Sequence, residues 1–172
     1  MKIPNIQLSL LAKHPTFSAF KLSELLNVKP EVQWDVGSFK KNKVGEKISD
    51  VNRESYICKK LIHSNKYYPS ELLDWVVGIL RKDASGIDEI LNTGGEVALS
   101  MGLFPNDSIT GDSFMPDLLK NIGELGVKLM LAVYFEKIGA KEEMELGSDV
   151  DCGPHNTDFR EKGSEKGSGR TF

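Results

Sequence analysis

Cysteine is scarce in this chain. Cys58 and Cys152 are the only two among 172 residues, and nothing in their spacing pairs them. A disulfide scaffold is therefore not expected, and stability has to come from a packed core. Histidine is scarce as well: His14, His63 and His155 are the only three, and no two have the helical spacing of metal ligands. Long apolar runs are missing. No segment approaches the roughly 18 apolar residues of a membrane span, and Met1 to Gln7 lacks the apolar core of a signal peptide. The expectation is a cytoplasmic protein with no membrane partner. An excess of positive charge is also missing, with 22 basic against 25 acidic residues and a net charge of −3. A nucleic-acid binder usually needs a clustered basic surface, so no nucleic-acid partner is expected. Lys40, Lys41, Lys43 and Lys47 form a local basic run, but Glu46 and Asp50 interrupt it. It reads as a solvated loop.

The motifs of catalysis are absent too. Gly94-Gly95 precedes a predicted strand instead of opening a helix, the wrong context for cradling phosphate. No nucleophile elbow accompanies a Ser/His/Asp set. Asp149, Asp151, Cys152 and His155 form one compact set of metal donors, yet they match neither zinc nor calcium spacing. Cys58 falls in a predicted strand, where cysteine is more often a small buried hydrophobe than a nucleophile. A reactive thiol would want a positioned base, and none stands out. No catalytic residue, metal or cofactor is expected, and the chain is read as not an enzyme.

What the sequence does contain is alternation. Val127, Leu129, Leu131, Val133 and Phe135 are spaced by two, and so are Val97, Leu99, Met101 and Leu103. That period places each set on one face of a strand. Ile6, Leu8 and Leu10 predict a first strand over 5–12, broken by His14-Pro15-Thr16. Phe17, Phe20, Leu22, Leu25 and Leu26 predict a short helix ending near Asn27, with Pro30 beyond it. Val32, Trp34 and Val36 predict a short edge strand closed by Gly37. Residues 38–53 are polar and read as a loop, and Tyr56 to Ile62 as the next strand.

A helix is predicted over 71–82. Ser70 is its expected cap, Glu71 and Asp74 lie in its first turn, and Arg81 and Lys82 in its last, as the helix dipole favours. Leu72, Trp75, Val76, Ile79 and Leu80 form its expected apolar stripe. A short helix over 86–92 follows, ended by Gly94 and Gly95, then the strand 96–103. Pro116 opens a helix running to about Leu125, with Leu118, Leu119, Ile122 and Leu125 inward and Gly126 as its stop. The strand 127–135 comes last.

The predicted class is α+β. The β-α-β-β-α-β portion has the ferredoxin-like pattern: a two-layer sandwich, a mostly antiparallel sheet with helices on one face, and an extra helix and strand appended. Another α+β sandwich with a different strand order is the alternative. Residues 1–136 form the predicted domain. Residues 137–172 carry six basic and eight acidic side chains without apolar periodicity, and they read as a polar, flexible tail.

Two aromatic sites stand out as candidates for binding. Trp34, with Asp35 beside it on a short exposed strand, could anchor a partner or could cover one edge of the core. Tyr67 and Tyr68 precede a helix and read equally as a staple or a surface patch. Trp75, at helical spacing, is expected in the core.

Leu25-Leu26-Asn27-Val28-Lys29-Pro30, followed by Trp34 and Gly37, carries a resemblance. A short helix ending in Leu-Leu-Gly-Ile-x-Pro, then a Trp and a Gly, is similar to the bacterial domain-of-unknown-function family 4279. Asn27 stands where that pattern has glycine, and Tyr56 where tryptophan is common. The Leu-rich helix, the strand, the amphipathic helix and a last strand ending at Tyr134 fit its order, so the resemblance spans about residues 5–136. It implies no activity and no site residue. The resulting expectation is a non-enzymatic binding protein, of the class that includes immunity proteins, with a protein partner such as a basic toxin. The alternative is a small-ligand sensing or regulatory domain acting as a homodimer.

Overall fold

The computed structural model describes residues 3–41, 45–105 and 111–134. Its elements, in chain order, are β1 (Asn5–His14), α1 (Ala19–Leu25), β2 (Val32–Trp34), β3 (Phe39–Lys41), β4 (Lys47–Val51) and β5 (Ser55–Ser64). Then come α2 (Pro69–Leu80), a 3-10 turn (Arg81–Asp83), α3 (Ala84–Asn92), β6 (Glu96–Phe104), α4 (Pro116–Glu124) and β7 (Lys128–Val133). Phe135 and the polar segment 137–172, with Asp149, Asp151, Cys152 and His155, lie outside the described residues.

The fold is α+β with a mixed five-stranded sheet in the order β2-β5-β1-β6-β7. The β2–β5, β1–β5 and β1–β6 ladders are antiparallel, and β6–β7 is parallel. A shift of register between Leu8 and Ser9 marks the β1–β5 ladder. Pairing fixes the two faces. Ile6, Leu8, Leu10 and Ala12 stand opposite Leu103, Met101, Leu99 and Val97 on one face. Those residues form the core together with Leu22 and Leu26, the α2 residues Leu72, Leu73, Val76, Val77 and Leu80, and Ile87, Ile90, Leu118 and Ile122. The helices therefore pack on that face.

Local chemistry explains the boundaries. Ser18 caps α1 by accepting from the Lys21 N–H at 3.1 Å. Asn27 follows the helix with φ +49°, in the left-handed region that glycine fills most easily and asparagine next. Gly86 sets the spacing of α3 against α1: an added Cβ would fall 1.9 Å from the Leu25 carbonyl oxygen. Pro116 opens α4 at its first turn, and Gly126, with φ +65°, turns the chain into β7.

Several sequence expectations are corrected. Residues 38–53 are not a loop throughout, because they contain the β3–β4 hairpin, a separate two-stranded sheet. Ser70 is not the cap of α2. The helix starts at Pro69, and the Tyr68 N–H donates to the Glu71 carboxylate at 2.8 Å, closing the first turn. The Ser70 N–H instead donates to Asp112 Oδ2 at 2.7 Å.

Trp75 is not core: it is 57% exposed, and Ile79 lies beside it on the outer side of α2. The buried stripe passes through Leu73 and Val77 instead, a rotation of the expected face. Leu119 is also exposed. Leu131 and Val133 stand half in solvent on β7, which is an edge strand of the sheet.

Candidate functional site

The strand β2 forms one edge of the sheet, and β5 is its sole ladder partner among the described residues. Beyond Trp34 the β2–β5 pair does not stop. The Val36 N–H donates to Ser55 Oγ at 2.8 Å, the Gly37 N–H to the Asn52 carbonyl and the Asn52 N–H to the Ser38 carbonyl, each at 2.8 Å. The Phe39–Val51 and Lys41–Lys47 pairs then continue the ladder as β3–β4. Residues 32–58 are thus one long hairpin with a break at its middle. Its base belongs to the sheet and its outer half is an arm. Every residue of β4 is exposed, and Phe39, Ile48 and Val51 expose 53%, 41% and 40% of their surface.

A groove of about 820 Å³ lies where base and arm meet, lined by Val32, Trp34, Asp35, Phe39, Lys40 and Lys41, among others. Trp34 is half-buried because its ring stacks on Tyr56, with centroids 4.3 Å apart and planes 16° apart. Both readings of this residue therefore have a physical counterpart: one face covers the sheet edge, and the other lines the groove. Phe39 has the Lys47 ammonium 5.5 Å from its ring centroid. Lys40 is ion-paired with Asp50, which holds the Asp50 carboxyl below its usual range.

Asp35 lines the groove and also bonds to the neighbouring helix. Its Oδ1 accepts from the Ala19 N–H at 2.7 Å, at the start of α1. A carboxylate placed there meets an unpaired amide and the positive end of the helix dipole. Asp35 thereby ties the groove to α1, and Ser38 Oγ donates to its carbonyl oxygen. Sequence reasoning could not find this bond, which links residues sixteen positions apart.

Tyr67 and Tyr68 are not part of this groove. They follow β5 at its far end, whereas Trp34 pairs with Tyr56 at its near end. At about 3.3 Å per residue the strand separates the two sites by roughly 25 Å. Tyr67 is exposed, and Tyr68 serves as the first residue of the α2 capping turn.

The remaining chemistry-bearing side chains lie inside the fold. His14 is fully buried. Its Nδ1 accepts from the Phe17 N–H at 2.9 Å and the Thr16 N–H at 3.1 Å, and Nε2 lies 2.9 Å from Thr93 Oγ1. Two backbone donors on Nδ1 assign the proton to Nε2. Burial lowers the pKa of this ring, which stacks on Phe17 at 3.9 Å. Cys58 is buried on β5 opposite Val32 and Leu11. Among the described residues no group of three acids, histidines or cysteines converges as a metal site, and no helix is long and apolar enough to cross a membrane.

The class these features define is a small α+β domain that presents an aromatic groove on a sheet edge. The chain belongs to a family described as a domain of unknown function, DUF4279, whose model matches residues 4–136. No curated protein and no solved structure matches it.

Proposed function

We propose that this protein is a non-enzymatic binding protein that engages a protein partner through the β2 edge, the groove and the β3–β4 arm. The observation that carries the reading is the groove itself. Trp34 and Phe39 present apolar surface beside lysine ammonium groups on an arm that contributes little to the core. Aromatic anchors in a partly desolvated pocket with a polar rim are what protein recognition uses. An immunity-type inhibitor of a toxin belongs to this class, cytoplasmic and independent of nucleic acid and membrane. The charge of the groove refines that idea. Asp35 is engaged by α1, and the arm from Phe39 to Val51 holds four lysines and two acids. A partner docking here is better matched by an acidic surface than by a basic one.

We further propose that β1, α1, β2, β5, α2 and β6 form a ferredoxin-like unit to which α4 and β7 are appended. The strand order β2-β5-β1-β6, with its three antiparallel ladders, supports this.

The test is capture of a partner from the native host, followed by reconstitution from purified components. Replacing Trp34 or Phe39 by Ala should weaken the reconstituted complex at least about tenfold, as expected of anchor residues. Phe39→Ala guards against a loss of fold at Trp34. A purified complex indifferent to both substitutions would remove the groove from the interface. A second reading, a homodimer that binds a small ligand, draws on the other sheet edge, where Met130, Leu131 and Val133 are exposed on β7. A concentration-independent dimer mass that Leu131→Asp converts to monomer would favour it.

A further inference from the structure

We infer that the groove takes an extended peptide segment in which an apolar side chain is followed by carboxylates. This rests on the protein-binding reading above and names the chemistry of the partner. Two independent observations carry it. The first is the shape and lining: Trp34 and Phe39 stand beside a groove open along the edge of β2, a strand with one ladder partner among the described residues. Extended peptides bind such edges, with side chains alternately entering pockets beside the strand. An apolar side chain entering the groove would remove the aromatic surface of Trp34 and Phe39 from water.

The second observation is a conflict inside the arm. Lys41 and Lys47 are cross-strand partners. Like charges directly opposite one another oppose strand pairing, and an isolated two-stranded hairpin has little stability in reserve. Among the described residues neither lysine reaches a carboxylate, since Asp50 is paired with Lys40 instead. Lys47 lies over the Phe39 ring, so the positive charge adjoins the aromatic part of the groove. A carboxylate between the two ammonium groups would turn their repulsion into a bridge and order the arm on binding. The same lysines are charge-complementary to a nucleic acid. A peptide is favoured because the basic patch is confined to the arm, whereas a phosphate chain needs a longer basic track.

The experiment uses the full chain. Trp34 and Trp75 are its two tryptophans, and Trp75→Phe leaves Trp34 as the single indole emitter at the cost of one exposed ring. This variant is titrated with a short peptide alternating phenylalanine and aspartate, with its phenylalanine–lysine counterpart, and with a single-stranded oligonucleotide. The expected result is a saturable change in Trp34 emission with the aspartate peptide alone. Its Kd should rise at least about tenfold in Lys41→Glu/Lys47→Glu and rise with salt. Equal binding of both peptides, no binding of the aspartate peptide, or tighter binding of the oligonucleotide would each overturn the inference. The two levels separate cleanly. A purified partner weakened by Phe39→Ala but indifferent to Lys41→Glu/Lys47→Glu would keep the groove and refute its acidic ligand. A partner indifferent to both Trp34→Ala and Phe39→Ala would refute the groove as well.

Discussion

The body of the sheet and the β3–β4 arm are built from the same kind of ladder and obey opposite rules. On β1 and β6, Ile6, Leu8, Leu10, Leu99 and Met101 are at most 1% exposed, and their pairing is locked by the helices above. On β4 every side chain is exposed, and like charges face one another at Lys41 and Lys47. The body shows what burial does for specificity, since a slip of one residue there would turn its whole apolar set toward the wrong face. The arm shows what remains when burial is withdrawn: among the described residues, a hairpin held by backbone hydrogen bonds and the Lys40–Asp50 ion pair.

The contrast can be broken most forcefully in the body. Leu99→Ala removes a fully buried side chain from the centre of β6. It should cost about 3 kcal/mol, read as a drop in the urea midpoint with the slope retained.

The next largest effect is that of acid on His14. The folded state holds this ring neutral, because Nδ1 accepts two backbone N–H bonds in a buried site. The folded state therefore binds fewer protons than the unfolded chain. The stabilisation is complete above the ordinary histidine pKa of 6.5 and declines as pH falls below it toward the lowered folded value. Thermal midpoints should fall between neutral pH and pH 5, and the His14 ring signals should stay those of a neutral imidazole as the pH drops below 6.5. A midpoint rising over that range would refute this account of His14.

Asn27→Ala comes third. It places a Cβ-bearing residue without a local polar side chain in the left-handed region, at a cost of about 1 kcal/mol. Asn27→Gly should be neutral or slightly stabilising, and calorimetry on the pair checks both.

The smallest effects belong to the arm. Phe39→Ala should shift global stability by less than about 0.5 kcal/mol. Lys41→Glu, which puts opposite charges across the ladder, should protect arm amides slightly from hydrogen exchange. An arm substitution as costly as Leu99→Ala would erase the distinction between the two regions.

The same contrast explains what could be read beforehand. The alternation in β1 and β6 was legible because the helices pack on one face of each, and Pro116 and Gly126 marked the ends of α4 through their own backbone preferences. The β3–β4 strands were not legible: Phe39, Ile48 and Val51 are spaced among lysines with no buried face to impose a period. On α2 two apolar stripes overlap, one through Trp75 and Ile79 and one through Leu73 and Val77. Which of them faces the sheet is decided by packing partners far away in sequence. Of the binding candidates, Trp34 lines the groove. The bond between Asp35 and α1 depends on the folded chain bringing them together, and Tyr67 and Tyr68 lie at the opposite end of β5. The exposed ring of Trp75, the aromatic partner of the arm and the lysine pair were missed for the same reason. Each is defined by what does not cover it.

The arm leaves and re-enters the body through a narrow neck. Val36 is tied to Ser55, and Gly37 and Ser38 are tied to Asn52. Everything between those bonds is a cassette. Its length and composition can drift, be shortened to a tight turn or be exchanged for another hairpin while the neck stays closed and the helices above the sheet register nothing. Under the binding role proposed above, one scaffold would in this way be fitted to a succession of different partners without being refolded each time.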